Sequence, residues 1–309
     1  MAQTNEPLPP GFPLETYRIE KQLSHGGFSI VYLAHDANQM PVAIKEYLPN
    51  NLALRGEGGV VPEIRPEHAA AFNHGLKCFF EEGRAVARLD HPYLVRVTDF
   101  FRANGTVYLV MRYERGRTLH EHIRRHQGKL EQSFLCDLFG RLLDGLDEVH
   151  TSGLLHLDIK PANIYLRADG SPVLLDFGAA RQSMIGDGEQ LHNIYTPGFA
   201  APEQYRGRQD LGPWTDLYAI GACLYACLSG QAPPVADARL ERDTLQLAAK
   251  RWKGDYSPNF LGLIDGCLQL DRHRRPANAR ELQEALLDDA PIGRGQPGLF
   301  SRIRQLFAA

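Results

Sequence analysis

A two-lobed α+β fold, with a small β-rich lobe followed by a larger, mainly helical one, is what this sequence predicts, on three observations. β-branched and apolar segments alternate with turn residues from Tyr17 to Tyr113, and beyond Gly116 the apolar period becomes helical. The length of 309 residues is more than one small core requires.

The elements follow in order. Residues 1–16 contain four prolines and no apolar period, and are expected to form a flexible arm. "YRIEKQLS", "FSIVYLAHD" and "PVAIKEYL" then read as an antiparallel meander broken by "HGG" and "DANQMP". Residues 49–65 look irregular around "RGEGG", after which "PEHAAAFNHGLKCFFEEGRAVARL" has helical composition and a proline suited to a first turn. "LVRVTDFFRANGTVYLVMRY" gives two strands around the Asn104-Gly105 turn, so the first lobe holds about five strands and one helix. In "SFLCDLFGRLLDGLDEVHTSG", Phe134, Leu135, Leu138, Leu142, Leu146 and Val149 fall at helical spacing, ending at Gly153. Asp169-Gly170 then turns a hairpin in "NIYLRADGSPVLLDFG".

Bulk properties exclude several classes. A net charge of −3 gives no electrostatic reason to expect nucleic acid as the main partner. Cys78, Cys136, Cys223, Cys227 and Cys267 lack any C-x-x-C spacing, and Cys223 and Cys227 read as small thiols buried on one helix face. No secretion leader and no membrane-spanning apolar run are read, so a soluble chain in the reducing cytoplasm is expected.

Chemistry concentrates in "HLDIKPAN", His156 to Asn163, between a helix and the hairpin. Such a loop is a rigid mount on which Asp158 can meet a hydroxyl while Asn163 faces a metal. Asp176 lies 18 residues after Asp158, at the far end of the hairpin, whose strands carry it back as a second metal ligand.

These residues, with "VAIK" at Val42–Lys45, "DFG" at Asp176–Gly178 and "APE" at Ala201–Glu203, make the chain resemble the eukaryotic-like protein kinases, and in detail the bacterial Hanks-type serine/threonine kinases. The resemblance covers Tyr17 to about Leu287. It implies the two-lobed protein kinase fold, with a small lobe over 17–111, a hinge over 112–116, a larger lobe over 117–288 and a tail over 289–309. It implies ATP and Mg2+, with Mn2+ as an alternative ion, protein substrates, and a cognate phosphatase as a further partner. Lys45 would bind the α- and β-phosphates, anchored by Glu82, ten residues before Pro92, with Glu81 as the fallback. Asp158 would orient the substrate hydroxyl, Lys160 neutralise the γ-phosphate, and Asn163 and Asp176 hold the metal. Thr196 would hydrogen-bond Asp158 and Lys160. Leu23, Val31 and Ala43 would line the nucleotide pocket, with Met111 at its back and Tyr113 in the hinge. Glu203 should pair with Arg275, and Asp216 should brace the catalytic loop. His156 is read as structural.

Several features depart from the family pattern. Ser24, Gly26 and Ser29 stand at the three glycine positions of the phosphate-covering loop, where Gly26 and Gly27 permit positive φ and close backbone approach. Leu157 replaces the arginine that pairs with an activation-loop phosphate, so activity is expected not to depend strongly on such a phosphate. An insert, "NNLALRGEGGVVPEIRPEHAA" from Asn50 to Ala70, precedes Glu82. Leu299, Phe300, Ile303, Leu306 and Phe307 give the C-terminal tail a short amphipathic helix, expected to pack on the kinase, with a partner or membrane surface as alternatives. A nucleotide-binding pseudokinase scaffold is the alternative reading, and a small-molecule kinase the next.

Overall fold

Period-two burial builds the first lobe. The computed structural model describes residues 5–127, 129–177, 195–206 and 210–289. Its strands are β1 (Pro13–Leu14), β2 (Tyr17–His25), β3 (Ser29–His35), β4 (Pro41–Tyr47), β5 (Ala53–Leu54), β6 (Glu63–Ile64), β7 (Val97–Ala103) and β8 (Thr106–Arg112). Six of them form one antiparallel sheet in the order β1-β2-β3-β4-β8-β7, and β5 pairs with β6. Register sets cross-strand rows: Ile30 faces Glu46, which faces Tyr108, and Tyr32 faces Ile44, which faces Val110. All six side chains in these rows are buried on one face. The intervening rows run Ser24, Val31, Lys45, Leu109 and Leu33, Ala43, Met111 on the opposite face.

Residues 5–16 correct the expectation of a flexible arm. Leu8 and Leu14 are buried in the same cluster as Ile30, Tyr32, Ile44 and Val110, Leu8 N–H donates to Tyr32 Oη at 3.1 Å, and β1 extends the sheet. Prolines restrict the unfolded chain as well as the folded one, so this segment loses less entropy on packing than an ordinary polar tail.

The helix of this lobe begins as expected, with a 3-10 turn at Pro66–His68 leading into α1 (Ala69–Val86). Phe72 and Phe79 pack their rings 5.3 and 5.6 Å from that of Tyr47, fixing α1 on the face of the sheet that carries Lys45. Asn104 and Gly105 both have positive φ, 51° and 71°, which suits the tight β7–β8 hairpin.

The second lobe contains β9 (Gly116–Thr118), α2 (Leu119–His126), α3 (Gln132–Thr151), β10 (Ile164–Arg167), β11 (Pro172–Leu174), α4 (Pro213–Ser229), α5 (Ala236–Glu241), α6 (Ala248–Arg251), α7 (Pro258–Cys267) and α8 (Ala279–Asp288). β9 joins the β10–β11 hairpin in a three-stranded sheet. Every residue of Thr215–Leu228 is buried, which makes α4 the central helix, with α7 against it and α8 against α3. Among the described residues, one hydrophobic cluster gathers around Ile30, Tyr32 and Ile44 of the first lobe, and a second runs through the helices of the second lobe and takes in Val86, Val95, Val97 and Met111 of the first. Cys136, Cys223, Cys227 and Cys267 are buried free thiols, and burial pushes those of Cys136 and Cys267 up to about 12.

Gly116 marks the entry to the second lobe. A Cβ there would run into the Leu166 carbonyl oxygen. Gly116→Ala is therefore expected to disturb β9–β10 pairing at a cost of about 1–3 kcal/mol, read as a lowered denaturation midpoint.

Candidate active site

The loop from His156 to Asn163 is held from beneath by one carboxylate. Asp216 on α4, 0% exposed, accepts His156 N–H at 2.9 Å, Leu157 N–H at 2.7 Å and His150 Nε2–H at 2.9 Å. Burial pushes its carboxyl up, but the hydrogen bonds from His150 and from the His156 backbone help to outweigh this and hold it below the usual range. Leu157 has φ +63°, a costly conformation for a branched side chain. Its carbonyl accepts from Gln204 Nε2 at 3.0 Å, so both of its backbone polar groups are fixed.

His156 is fully buried. Its Nε2–H donates to the Leu175 carbonyl at 2.8 Å, Nδ1 accepts from Asp158 N–H at 3.3 Å, and the ring lies 4.7 Å from that of Phe177. These partners define one neutral tautomer that ties the loop to the Asp176-Phe177 segment. Burial lowers its pKa below 6.5, against the opposing pull of Asp216, the Leu175 carbonyl, Asp158 and Asp176. Below pH 6.5 the unfolded chain therefore takes up a proton that the folded chain refuses. Stability is expected to be full above that value and to fall beneath it by up to about 1.4 kcal/mol per pH unit. Urea titrations at several pH values check this, and His156→Gln should flatten the slope.

Above this base the predicted residues converge. Lys160 Nζ donates to Asp158 Oδ1 and Oδ2 at 3.1 and 2.9 Å and to Thr196 Oγ1 at 2.9 Å. Thr196 Oγ1–H donates to Asp158 Oδ1 at 3.1 Å, and Asn163 Nδ2 donates to Asp158 Oδ2 at 3.0 Å. Asn163 also ties back to the Asp158 carbonyl, and its own carbonyl accepts Leu175 N–H at 2.8 Å, next to Asp176. Lys45 Nζ reaches Asp176 Oδ1 at 3.1 Å and lies 5.5 Å from the Phe79 ring centre.

Glu82 lines one cavity with Lys45, Met111, Asp176 and Phe177, whereas Glu81 stands on the surface 3.7 Å from Arg84. The helix thus presents Glu82, not the fallback, to the lysine side. Val31 and Ala43 occupy the sheet rows of Lys45 and Met111, and Leu23, 41% exposed, precedes Ser24 on β2. Gly26 N–H donates to the Ser29 carbonyl at 2.9 Å. Neither Gly26 nor Gly27 adopts positive φ, which corrects the expected use of their conformational freedom; the loop continues the extended β3–β4 pairing instead.

Sequence reasoning missed Val95, Val97 and Leu109 as further walls of the Lys45 cavity, although period-two alternation marks the pairs Val95/Val97 and Leu109/Met111. It also missed the brace on the connection between the lobes. Tyr113 to Arg115 join β8 to β9, and Glu114 is gripped twice by Arg167 of β10, at 3.0 Å through Nε and through Nη2. In the scaffold, Arg275 donates to Glu203 Oε1 at 2.7 Å and Oε2 at 3.0 Å.

The donor set suits a hard divalent cation. Asn163 uses its amide nitrogen on Asp158, so Oδ1 is the atom with which it would hold a cation together with the Asp176 carboxylate. No group of three or more His, Cys, Asp or Glu that could hold a metal occurs among the described residues. An amide–carboxylate pair completed by phosphate oxygens and water fits these residues.

Two lobes meeting at a lysine–aspartate pair, above a catalytic-loop carboxylate, define a protein kinase, and the family comparison agrees. The model described as a protein kinase domain matches residues 17–287, and the chain belongs to that family. Its relatives include kinases of bacteria and of a plant, Oryza sativa. It is 31% identical over 281 residues to the serine/threonine-protein kinase PknA of Nostoc sp., covering 87% of this chain and 46% of the relative. To serine/threonine-protein kinase PknL of Mycobacterium tuberculosis it is 30% identical over 299 residues, covering 94% and 67%. The solved structure titled PpkA-294 apo form superposes with a TM-score of 0.82 at 35% identity, covering 91% of this chain and 99% of that one. The chain spans about half the length of several of these relatives, 46% for the Nostoc protein and 52% for serine/threonine-protein kinase D of Synechocystis sp.. No helix among the described residues is long and apolar enough to cross a membrane.

Proposed function

We propose that this chain transfers the γ-phosphoryl group of ATP to serine and threonine hydroxyls of proteins. The observation that carries the reading is the Asp158 carboxylate, both of whose oxygens are aligned by Lys160, Thr196 and Asn163 at 2.9–3.1 Å. Asp158 orients the acceptor hydroxyl and takes its proton as the oxygen attacks the γ-phosphorus in line and the bond to the bridging oxygen breaks, releasing ADP. Lys160 balances charge on the transferred group, Thr196 holds both, and Lys45 grips the α- and β-phosphates. Magnesium or manganese, held by Asn163 and Asp176, neutralises phosphate charge when bound.

Asp216 and Gln204 fix the backbone of Leu157 without any charge on its side chain, which supports activity that does not require an activation-loop phosphate. Ser183 and the rest of 178–194 lie outside the described residues, as does the tail over 290–309. Autophosphorylation, a cognate phosphatase and packing of that tail on the kinase belong to the same proposal. Cytoplasmic placement does too, supported by free thiols at every described cysteine.

The test is transfer from labelled ATP with magnesium to a generic protein and to a panel of small hydroxyl compounds, for the wild type beside Asp158→Asn. Protein labelling by the wild type alone supports the proposal. Equal background in both with ATP bound makes the chain a nucleotide-binding scaffold, and labelling confined to small molecules makes it a small-molecule kinase.

A further inference from the structure

We infer that Asn5 is a positioning residue for the phosphate-covering loop, acting through segment 48–55, where β4 runs into the insert. Asn5 is 1% exposed. Its carboxamide is fully used. Nδ2 donates to Asn50 Oδ1 at 2.8 Å, to the Ala53 carbonyl at 3.2 Å and to the Leu48 carbonyl at 3.4 Å, while Oδ1 accepts Arg55 N–H at 2.5 Å. The two backbone carbonyls only accept and Arg55 N–H only donates, so these neighbours define the amide orientation.

The gripped segment touches the loop directly. Asn50 N–H donates to the Gly27 carbonyl and Leu48 N–H to the Phe28 carbonyl, each at 2.9 Å. Leu48 and Asn50 continue β4 two and four residues beyond the sheet row of Glu46, itself next to Lys45. At the other end of the segment, the Arg55 guanidinium, 0% exposed, donates to Glu46 at 2.6 and 2.8 Å, to Tyr32 Oη at 2.9 Å and to the Glu6 carbonyl at 2.7 Å. One amide near the start of the chain therefore closes a ring: segment 5–6, insert, glycine loop, β4, Glu46, Arg55 and back. The loop that replaces two family glycines with Ser24 and Ser29 is held in place by hydrogen bonds from outside itself.

The inference deepens the proposed kinase reading for its nucleotide readout, while its structural readout is independent of ATP. The test uses the full chain as wild type, Asn5→Asp, Asn5→Ala, Asn50→Ala and the Asn5→Ala/Asn50→Ala double variant. Asn5→Asp keeps the shape but turns a donor into an acceptor facing three acceptors. Hydrogen exchange of the nucleotide-free protein is expected to accelerate about tenfold at the Leu48 and Asn50 amides. The dissociation constant of ATP with magnesium should rise several-fold, with kcat at saturating ATP changing less. The double variant should be no worse than Asn5→Ala, because both remove the same link. A lower melting temperature with unchanged exchange at Leu48 and Asn50 and unchanged ATP affinity would make Asn5 a stabilising residue only and overturn the inference; so would additive effects in the double variant. Should Asn5→Asp not fold, Asn50→Ala, which keeps its own N–H, carries the same readouts. A wild type that binds no ATP sinks the kinase proposal and leaves the exchange result to decide the inference.

Discussion

Asp158→Asn is expected to lower kcat for phosphoryl transfer by about 10²- to 10⁴-fold while leaving ATP binding in place. The substitution is isosteric, so its effect is electronic. Both carboxylate oxygens accept from the Lys160 ammonium, one also from Thr196 Oγ1–H and the other from Asn163 Nδ2. An amide NH2 on either side meets at least one of these donors head-on, and the remaining carbonyl is too weak a base to draw a proton from an attacking hydroxyl. Thr196 can turn its hydroxyl to accept, so the amide nitrogen should settle on that side and the loop should stay folded. Single-turnover transfer and ATP affinity, measured together, check the result. Unchanged kcat would remove Asp158 from the proton-accepting role, and a matched loss of ATP affinity would point to a misfolded loop.

Glu46→Ala should be the most damaging single change to the first lobe, at about 3–5 kcal/mol of stability. Both Glu46 and Arg55 are 0% exposed, and the carboxylate also accepts from Tyr32 Oη at 2.6 Å and Tyr108 Oη at 2.8 Å. Removing it leaves a guanidinium and two phenols without their acceptor in a site closed to water. The cost comes from the stranded charge more than from the lost attraction. Glu46→Gln/Arg55→Met, which removes both charges while keeping volume, should therefore unfold at a higher urea concentration than Glu46→Ala. The reverse order would mean that the pair itself, not the isolated cation, dominates.

The site was more legible in the sequence than the first lobe's outer face. Lys45, Asp158, Asn163 and Asp176 are legible because chemistry demands residue types at spacings that loop and hairpin geometry fix, and the Asn104-Gly105 turn has a local backbone signature. Asn5, Glu46 and Arg55 have no such signature. They lie up to 50 residues apart and are brought together only by the path of the insert, so nothing local announces them. Prolines made residues 5–14 read as unfolded when their restricted backbone is what lets so short a segment pack. Gly26 and Gly27 suggested a left-handed turn because glycine tolerates one, but the ladder of hydrogen bonds to Leu48 and Asn50 decides the conformation.

The carbonyl of Leu157 accepting from Gln204 has a consequence for how the cleft responds to its medium. Gln204 belongs to the 3-10 turn Pro202–Tyr205 that follows Thr196, so the acceptor side of the site and the catalytic loop are joined by a neutral amide. An arginine–phosphate link in that place would weaken as ionic strength rises and mobile ions shorten the reach of its charges. A neutral hydrogen bond, with the enclosed Asp216 beneath it, is screened far less. The communication between these two parts of the cleft should therefore tolerate changes in salt without resetting the geometry of Asp158.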